Sequence, residues 1–352
     1  MHADEQVVLA VDVMGSDRGA EEVLEGIYRF FRRPRRDCVR VIAIGDRAVL
    51  DPIVNGRRFA PFRTLLTVFH AGETIGMDES PTKAIRHKKD ASMVRAIELV
   101  QRGEADAVLS CGNTGALVAL GTIRLRPMAH LERPALGTVI PALGSRFVLL
   151  DVGANPDPTV RQLVQNALLG SHYCRTAIGL HSPRVGLLSI GTEEGKGTGL
   201  VQETHENLKA LDGIIRYVGL VEGFQLFSGD VDVVVCDGFV GNVLLKAMEG
   251  LVSQLKVYLK KELLGNILRI FGCLFLRGAI RNIGSKLNAK RYGGAPLLGL
   301  TKPVFKAHGS SDSEAIEHAI TIAARFARGE SSSQLERDIA RAEKILTGSE
   351  KI

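Results

Sequence analysis

The sequence predicts a three-layer α/β/α fold on a mostly parallel sheet. Three observations carry this. Short, fully apolar runs recur along the chain. Each ends in a turn rich in Gly, Asn or Asp. A segment of helical period follows most of them. Strands apolar on both sides need cover on both faces, and alternation with helices supplies it.

In chain order, residues 7–13 read as the first strand and 21–31 as its helix. Strands follow at 39–44 and 64–69, then a helix at 92–102 and a strand at 107–110. A Gly/Ala-rich helix starts at the turn of residues 111–115. The second half repeats the scheme: strand 147–152, helix 160–172, strand 184–190, helix 205–210, strand 213–218 and strand 231–235. A long helical region begins at about Val243. Residues 313–328 form the last core helix, capped by Ser311 or Asp312, with Glu314 in its first turn. Residues 1–330 are expected to form one α/β catalytic domain, and 331–352 a polar terminal helix or tail.

Residues 251–291 break the pattern, because the helical stretch is longer than a crossover needs. A helical wheel over 263–281 puts Leu264, Ile267, Phe271, Leu274 and Phe275 on one side. Arg269, Arg277 and Arg281 fall on a neighbouring arc. Such a segment suits first a dimer interface or core packing, and also a membrane surface, and both hold if a dimer presents a helical tip to lipid. The arginines interrupt any run of the roughly 18 apolar residues that a membrane span requires.

Of the 352 residues, 5% are aromatic and none is Trp, which leaves little for stacking single-stranded nucleic acid. No nucleic-acid partner is expected. The net charge of +6 favours acidic partners without choosing among them. The five cysteines are scattered, with no CxxC pair, so neither a disulfide framework nor a zinc site is expected. The first residues are acidic and lead straight into a strand, unlike a signal peptide, and a reducing cytoplasm fits.

In an open parallel sheet, ligands bind outside the carboxyl ends of the strands. The turns expected there share one set of residue types. They hold Asp12 and Gly15, then Asn113 and Thr114, then Asp151 and Asn155, then residues 191–197, then Asp237 and Asn242. Glycine lets backbone approach a ligand closely. Asn and Thr offer neutral hydrogen bonds, and helix N-termini offer free N–H groups to an anion. Five such turns on one edge predict a shared anion site. Lys88 and Lys89 belong to a charge run of the kind that is mostly solvated, and stand close enough to reach the site as well; Lys196 lies among glycines that let it fold over a phosphate, contact an acidic partner or simply stand in solvent. His308, beside a Gly-Ser-Ser turn, is placed for acid–base or oxyanion work. There is no GxxxxGK[ST] loop, no GxGxxG after the first strand and no GxSxG elbow. Direct attack by a bound substrate oxygen is therefore more economical than a covalent acyl-enzyme.

The motifs AVDVMGSD (10–17), RHKKDASMV (86–94), CGNTGAL (111–117), ERPAL (132–136) and LLDVGAN (149–155) occur in this order. After them come SPRVGLLSIGTEEGKG (182–197), DVVVCDGFVGNVLLK (232–246), YGGAPLLGL (292–300) and KAHGSSDS (306–313). Together they resemble the PlsX-type phosphate acyltransferases of bacterial phospholipid synthesis, over residues 7–328. Ser16 stands where that family usually has a second glycine. The resemblance implies an isocitrate/isopropylmalate dehydrogenase-like fold, a homodimer, and peripheral attachment to the inner membrane face. It implies no metal or organic cofactor. The implied reaction moves a fatty acyl group from acyl carrier protein to inorganic phosphate, and a glycerol-3-phosphate acyltransferase would use the acyl phosphate. Lys196, His308 and Asn242 are the expected catalytic residues. Asp12, Gly15, Lys88, Lys89, Asn113, Thr114, Asp151, Asn155, Asp237 and Lys246 are the expected phosphate and substrate contacts. An NAD-dependent dehydrogenase of the same fold group would want a cluster of metal-binding carboxylates, and none is evident. A non-catalytic scaffold would not need so many polar turns.

Overall fold

A computed structural model describes residues 6–34, 38–142, 144–286, 294–328 and 333–348. The elements are β1 Val7–Asp12, α1 Ala20–Phe31, β2 Val39–Gly45, α2 Arg47–Val54, β3 Leu66–His70, α3 Pro81–His87, α4 Ser92–Gln101, β4 Ala107–Ser110 and α5 Thr114–Leu120. Then come β5 Ala135–Ala142, β6 Ser145–Leu150, α6 Val160–Tyr173, β7 Arg184–Leu188, α7 Gly199–Lys209, β8 Arg216–Val221 and β9 Val233–Val235. The chain continues with α8 Gly238–Leu263, α9 Ile267–Lys286, β10 Ala295–Leu298, β11 Val304–Lys306, α10 Ser313–Ala327 and α11 Ser333–Leu346.

Among the described residues, eleven strands form one sheet, in the order β3-β2-β1-β4-β11-β10-β5-β6-β9-β7-β8. The fold is α/β with a mostly parallel sheet, as the apolar runs predict. Only β11–β10, β10–β5 and β5–β6 pair antiparallel. Leu9 and Val11 of β1 are buried in one cluster with α1 and α10, while Ala10 is buried with α4 on the opposite face. Burial on both faces is what a run without polar alternation requires. Glu317 of α10 accepts from Arg29 at 3.0 Å and from Arg33, which ties α10 to α1.

The three antiparallel steps matter for the site. They reverse direction between β11 and β6, so β6, β9, β7 and β8 run opposite to β1–β4 and β11. The loops after β1, β4 and β11 therefore open on one rim of the sheet. The loops after β6, β7 and β9 open on the other. This corrects the expectation that all five polar turns share one edge. The reversal runs through β5, β10 and β11, and the apolar-run pattern identified none of them.

Several boundaries also move. Thr198 caps α7, which starts six residues before the expected helix at 205–210. The strand expected at 213–218 lies at Arg216–Val221, with a register shift opposite Val185 and Gly186. Asp312, and not Ser311, caps α10, through Ala315 N–H at 3.1 Å. The expected tail is a helix over Ser333–Leu346, which buries Leu335, Ile339 and Ala342 beside α6. The largest correction is α8, which starts at Gly238 and not near Val243, because Asp237 accepts the Val240 N–H at 2.8 Å. Asn242 thus stands on a helix and not in a turn.

α8 and α9 carry the long helical stretch, with a break at residues 264–266. Leu251, Val257, Tyr258, Leu264 and Phe271 are exposed there, and Phe275 is 92% exposed. The side chains of Ile267, Leu274 and Arg281, and all of residues 287–291, lie outside the described residues. Among the described residues, no helix is long and apolar enough to cross a membrane.

Candidate functional site

The first rim gathers three loops. Asp12 ends β1, is almost fully buried, and accepts the Ser110 hydroxyl at 2.6 Å. Burial raises its pKa, against the pull of the Ser110 and Ser92 hydroxyls. Among the described residues its second oxygen makes no well-formed hydrogen bond. Gly15 is required by close approach: a Cβ there would lie 2.8 Å from Gly112 Cα. Ser16 Oγ and the Asp17 amide both donate to the Gly309 carbonyl, at 3.2 and 3.0 Å. The loops after β1, β4 and β11 are thereby zipped together.

Lys306, the last residue of β11, sits beneath these loops and is 9% exposed. Its Nζ donates to the Cys111 carbonyl at 3.1 Å and to the Ala307 carbonyl. Burial pulls its pKa down to about 8. Two residues on, His308 Nε2 lies 2.6 Å from Lys246 Nζ, and its Nδ1 lies 2.8 Å from Ser310 Oγ. Nδ1 also meets the Ser310 N–H, which donates toward it at 3.2 Å; the neutral tautomer with Nδ1–H donating to Ser310 Oγ gives up that contact and leaves Nε2 to accept from the Lys246 ammonium. Burial and the Lys246 charge push the His308 pKa down. Lys246 also pairs with Glu249 at 2.9 Å, three residues along α8. The neighbouring Cys111 thiol is pushed up to about 12 by burial, so it is no thiolate nucleophile.

The second rim is braced by Asp151. Its carboxylate accepts four amides: Leu136 at 3.1 Å, Gly153 at 3.0 Å, Ala154 at 2.9 Å and Asn155 at 2.7 Å. Burial still raises its pKa above the ordinary carboxylate value. The Asn155 side chain donates to Gln162 at 2.7 Å. Asp237 caps α8, and Asn242, one turn further, packs against Gly153. The Asn242 amide is exposed and makes no hydrogen bond among the described residues.

α8 joins the two rims. Its first turn lies against the Asn155 carbonyl, with Gly238 N–H donating at 2.8 Å, and Lys246 reaches His308. Between those residues the helix rises about 12 Å. The middle strands β10 and β11 are four and three residues long, roughly 10–13 Å, so the helix crosses the sheet at its narrowest part. Asn242 and Lys246 are i and i+4 neighbours on one helix face. The expected residues therefore meet along α8 and not along one sheet edge.

The remaining expected contacts are engaged elsewhere or stand apart. The Asn113 amide donates to the Gly76, Met77 and Glu79 carbonyls, and its oxygen caps α5. Lys88 donates to Thr74 O at 2.7 Å and Glu79 at 2.5 Å, and Lys89 to Ile85 O at 3.1 Å. These side chains hold loops in place. Thr114, in the first turn of α5, is half-buried and its side chain makes no hydrogen bond among the described residues. Lys196 is on the second rim, exposed, beside a hollow of about 260 Å³ that Glu194, Glu203 and Glu206 also line. A cavity of about 620 Å³ between α6 and α10 is lined by none of these residues. Lys306 is the residue the sequence reading passed over. Its signal was a lysine between Phe305 and Ala307 in an otherwise apolar strand end.

A family model described as "Fatty acid synthesis protein" matches residues 7–334. The chain belongs to that family. A phosphate acyltransferase of Thermoanaerobacterium thermosaccharolyticum is 39% identical over 94% of this chain and 96% of its own length. One of Nitratidesulfovibrio vulgaris is 41% identical over 96% of each. Among solved structures, a phosphotransacetylase from Streptococcus pyogenes aligns with a TM-score of 0.60 at 17% identity. It covers 93% of this chain and 95% of its own. A 4-hydroxythreonine-4-phosphate dehydrogenase from Klebsiella pneumoniae aligns at 0.50, 12% identity, 92% of this chain and 100% of its own. These two likenesses establish the fold alone, shared between phosphotransacylases and dehydrogenases.

Proposed function

We infer that the protein is a phosphate acyltransferase, moving a fatty acyl group from acyl carrier protein to inorganic phosphate for phospholipid synthesis. The observation that carries this is near-complete, two-way coverage by phosphate acyltransferases at about 40% identity. A phosphate oxygen attacks the thioester carbonyl carbon, a C–O bond forms, and the C–S bond breaks. The proton of monohydrogen phosphate ends on the leaving sulfur. The Lys246–His308 pair sets two nitrogens 2.6 Å apart, a path along which a proton passes to the sulfur and is replaced from phosphate. Asn242, one turn away, offers a neutral hydrogen bond to phosphate or to the carbonyl oxygen. Holding both reactants on α8 in attack geometry supplies much of the acceleration.

The test is purified protein with acyl–acyl carrier protein and phosphate, without added metal or NAD. Acyl phosphate and free carrier-protein thiol should appear in equal amounts and only with phosphate present. NAD-dependent oxidation of a substrate in place of thiol release would favour the dehydrogenase reading.

Lys196, on the same rim as Asn242 and flanked by glycines, folds over the bound phosphate in this reading, so Asn242→Ala and Lys196→Ala are both expected to lower turnover with the melting temperature unchanged, since neither side chain makes a hydrogen bond among the described residues. A lost hydrogen bond to a charged group is about 1.5–3 kcal/mol, roughly ten- to a hundred-fold in rate. Steady-state rates of both variants check this, and wild-type turnover in both would put the chemistry elsewhere.

Two further parts of the reading concern assembly. The exposed apolar residues of α8 and α9 support a homodimer that presents a helical tip to the inner membrane surface. From a cytoplasmic position at that surface, the acyl phosphate reaches a glycerol-3-phosphate acyltransferase.

A further inference from the structure

We propose that Lys306 is a positioning residue for the Lys246–His308 pair: it ties the loop after β4 to the loop that bears His308 and fixes a positive charge beneath the ring. The proposal rests on the proton-relay role given above to that pair.

The tie is geometric. Lys306 Nζ bonds the Cys111 carbonyl, on the loop after β4, and the Ala307 carbonyl, next to His308. Both acceptors are neutral peptide groups. Among the described residues no carboxylate lies within ion-pair distance of this buried ammonium, whereas most buried lysines are paired. A buried cation without an ion pair is costly to hold, so its position asks for a reason.

The groups around it supply one. Asp12 comes from β1, Asp17 from the loop after it, and Cys111 from the loop after β4. Lys246 and Glu249 come from α8, and His308 from its own loop. Glu249 is taken up by Lys246, and the buried Asp12 by Ser110. Of the charges acting on His308, those of Lys246 and Glu249 are the larger and oppose each other; Lys306 adds to that of Lys246, and Asp17 opposes it. A like charge disfavours a protonated ring. Keeping the ring neutral keeps Nε2 an acceptor for the Lys246 ammonium, which the relay needs. A protonated ring would face the ammonium with a second donor, and the 2.6 Å contact would break.

Three proteins test this: wild type, Lys306→Met and Lys306→Arg. Met keeps the linear stem without charge, and Arg keeps the charge. The primary readout is the His308 ring titration by NMR, which does not depend on activity. Lys306→Met is expected to raise the His308 pKa by on the order of half a unit, as fits one nearby charge at a half-exposed ring. Lys306→Arg should stay near wild type. The acid limb of kcat/KM should move up with the ring in Lys306→Met, while KM for phosphate changes less than kcat. If Lys306→Met does not fold, Lys306→Gln, which keeps a donor for the carbonyls, takes its place. An unchanged ring titration in the folded uncharged variant overturns the proposal. Failure of the wild type to make acyl phosphate would instead remove the function assigned above and leave the ring titration readable.

Discussion

Gly241→Ala is expected to abolish stable folding. Gly241 lies in the first turns of α8, where the helix presses on the second rim. A Cβ there would overlap the Asp151 carbonyl oxygen and stand 2.8 Å from Cys236 Sγ. Neither neighbour can yield. The Asp151 side chain is anchored by four amides, and Cys236 is buried at the end of β9, its N–H donating to Leu150 O at 2.8 Å. Ordinary overpacking of a core costs about 1–3 kcal/mol, because side chains can shift. Here the backbone must shift, so the loss should exceed that range and take up much of a typical stability of about 5–15 kcal/mol. Gly250→Ala, further along α8, is the internal control. It has open space around it, and helix propensity alone should make it stabilising by up to about 1 kcal/mol. Urea titrations of both variants and wild type decide the matter. A Gly241→Ala protein as stable as Gly250→Ala would mean that α8 does not dock on Asp151 as described.

Gly241 also marks where residue pattern and structure part. The stretch Asp237–Asn242 looks like a loop because two glycines punctuate it. In the structure those glycines serve close approach to the Asn155 and Asp151 carbonyls, and the helix already runs through them. Residue composition does not separate a glycine that bends a chain from one that admits a neighbour. The alternation of apolar runs and helices did reveal the layers and the parallel pairing of β1, β2, β3 and β4. It was blind to β10 and β11, which are too short for a period to register, and to β5, whose Gly137 and Pro141 read as breaks. The sheet changes direction through those three strands. Hence the residue types of the site were legible, while its arrangement along one helix, bridging two rims, was not. Lys306 was hidden for the same reason, since its burial follows from membership in β11.

His308→Gln should lower kcat by about 10²–10⁴, the usual worth of a positioned proton-transfer group. Glutamine is a discriminating replacement. Its amide oxygen can still accept from Lys246, so the contact and much of the loop geometry survive, but it cannot carry a proton. KM for phosphate should therefore change less than kcat. Lys246→Met should lose a similar amount. The double variant should be little worse than either single one, because two halves of one relay fail together. The pH dependence gives an independent sign. Burial and the Lys246 charge hold the His308 pKa below its ordinary 6.5, so the ring is neutral at pH 7 and becomes protonated as pH falls. Activity that needs the neutral ring is therefore full above about 6.5 and declines on the acid side, and His308→Gln should flatten that decline. A variant with wild-type kcat and an intact acid limb would remove His308 from the proton path. The tight Lys246 contact would then be only a link between α8 and the loop after β11.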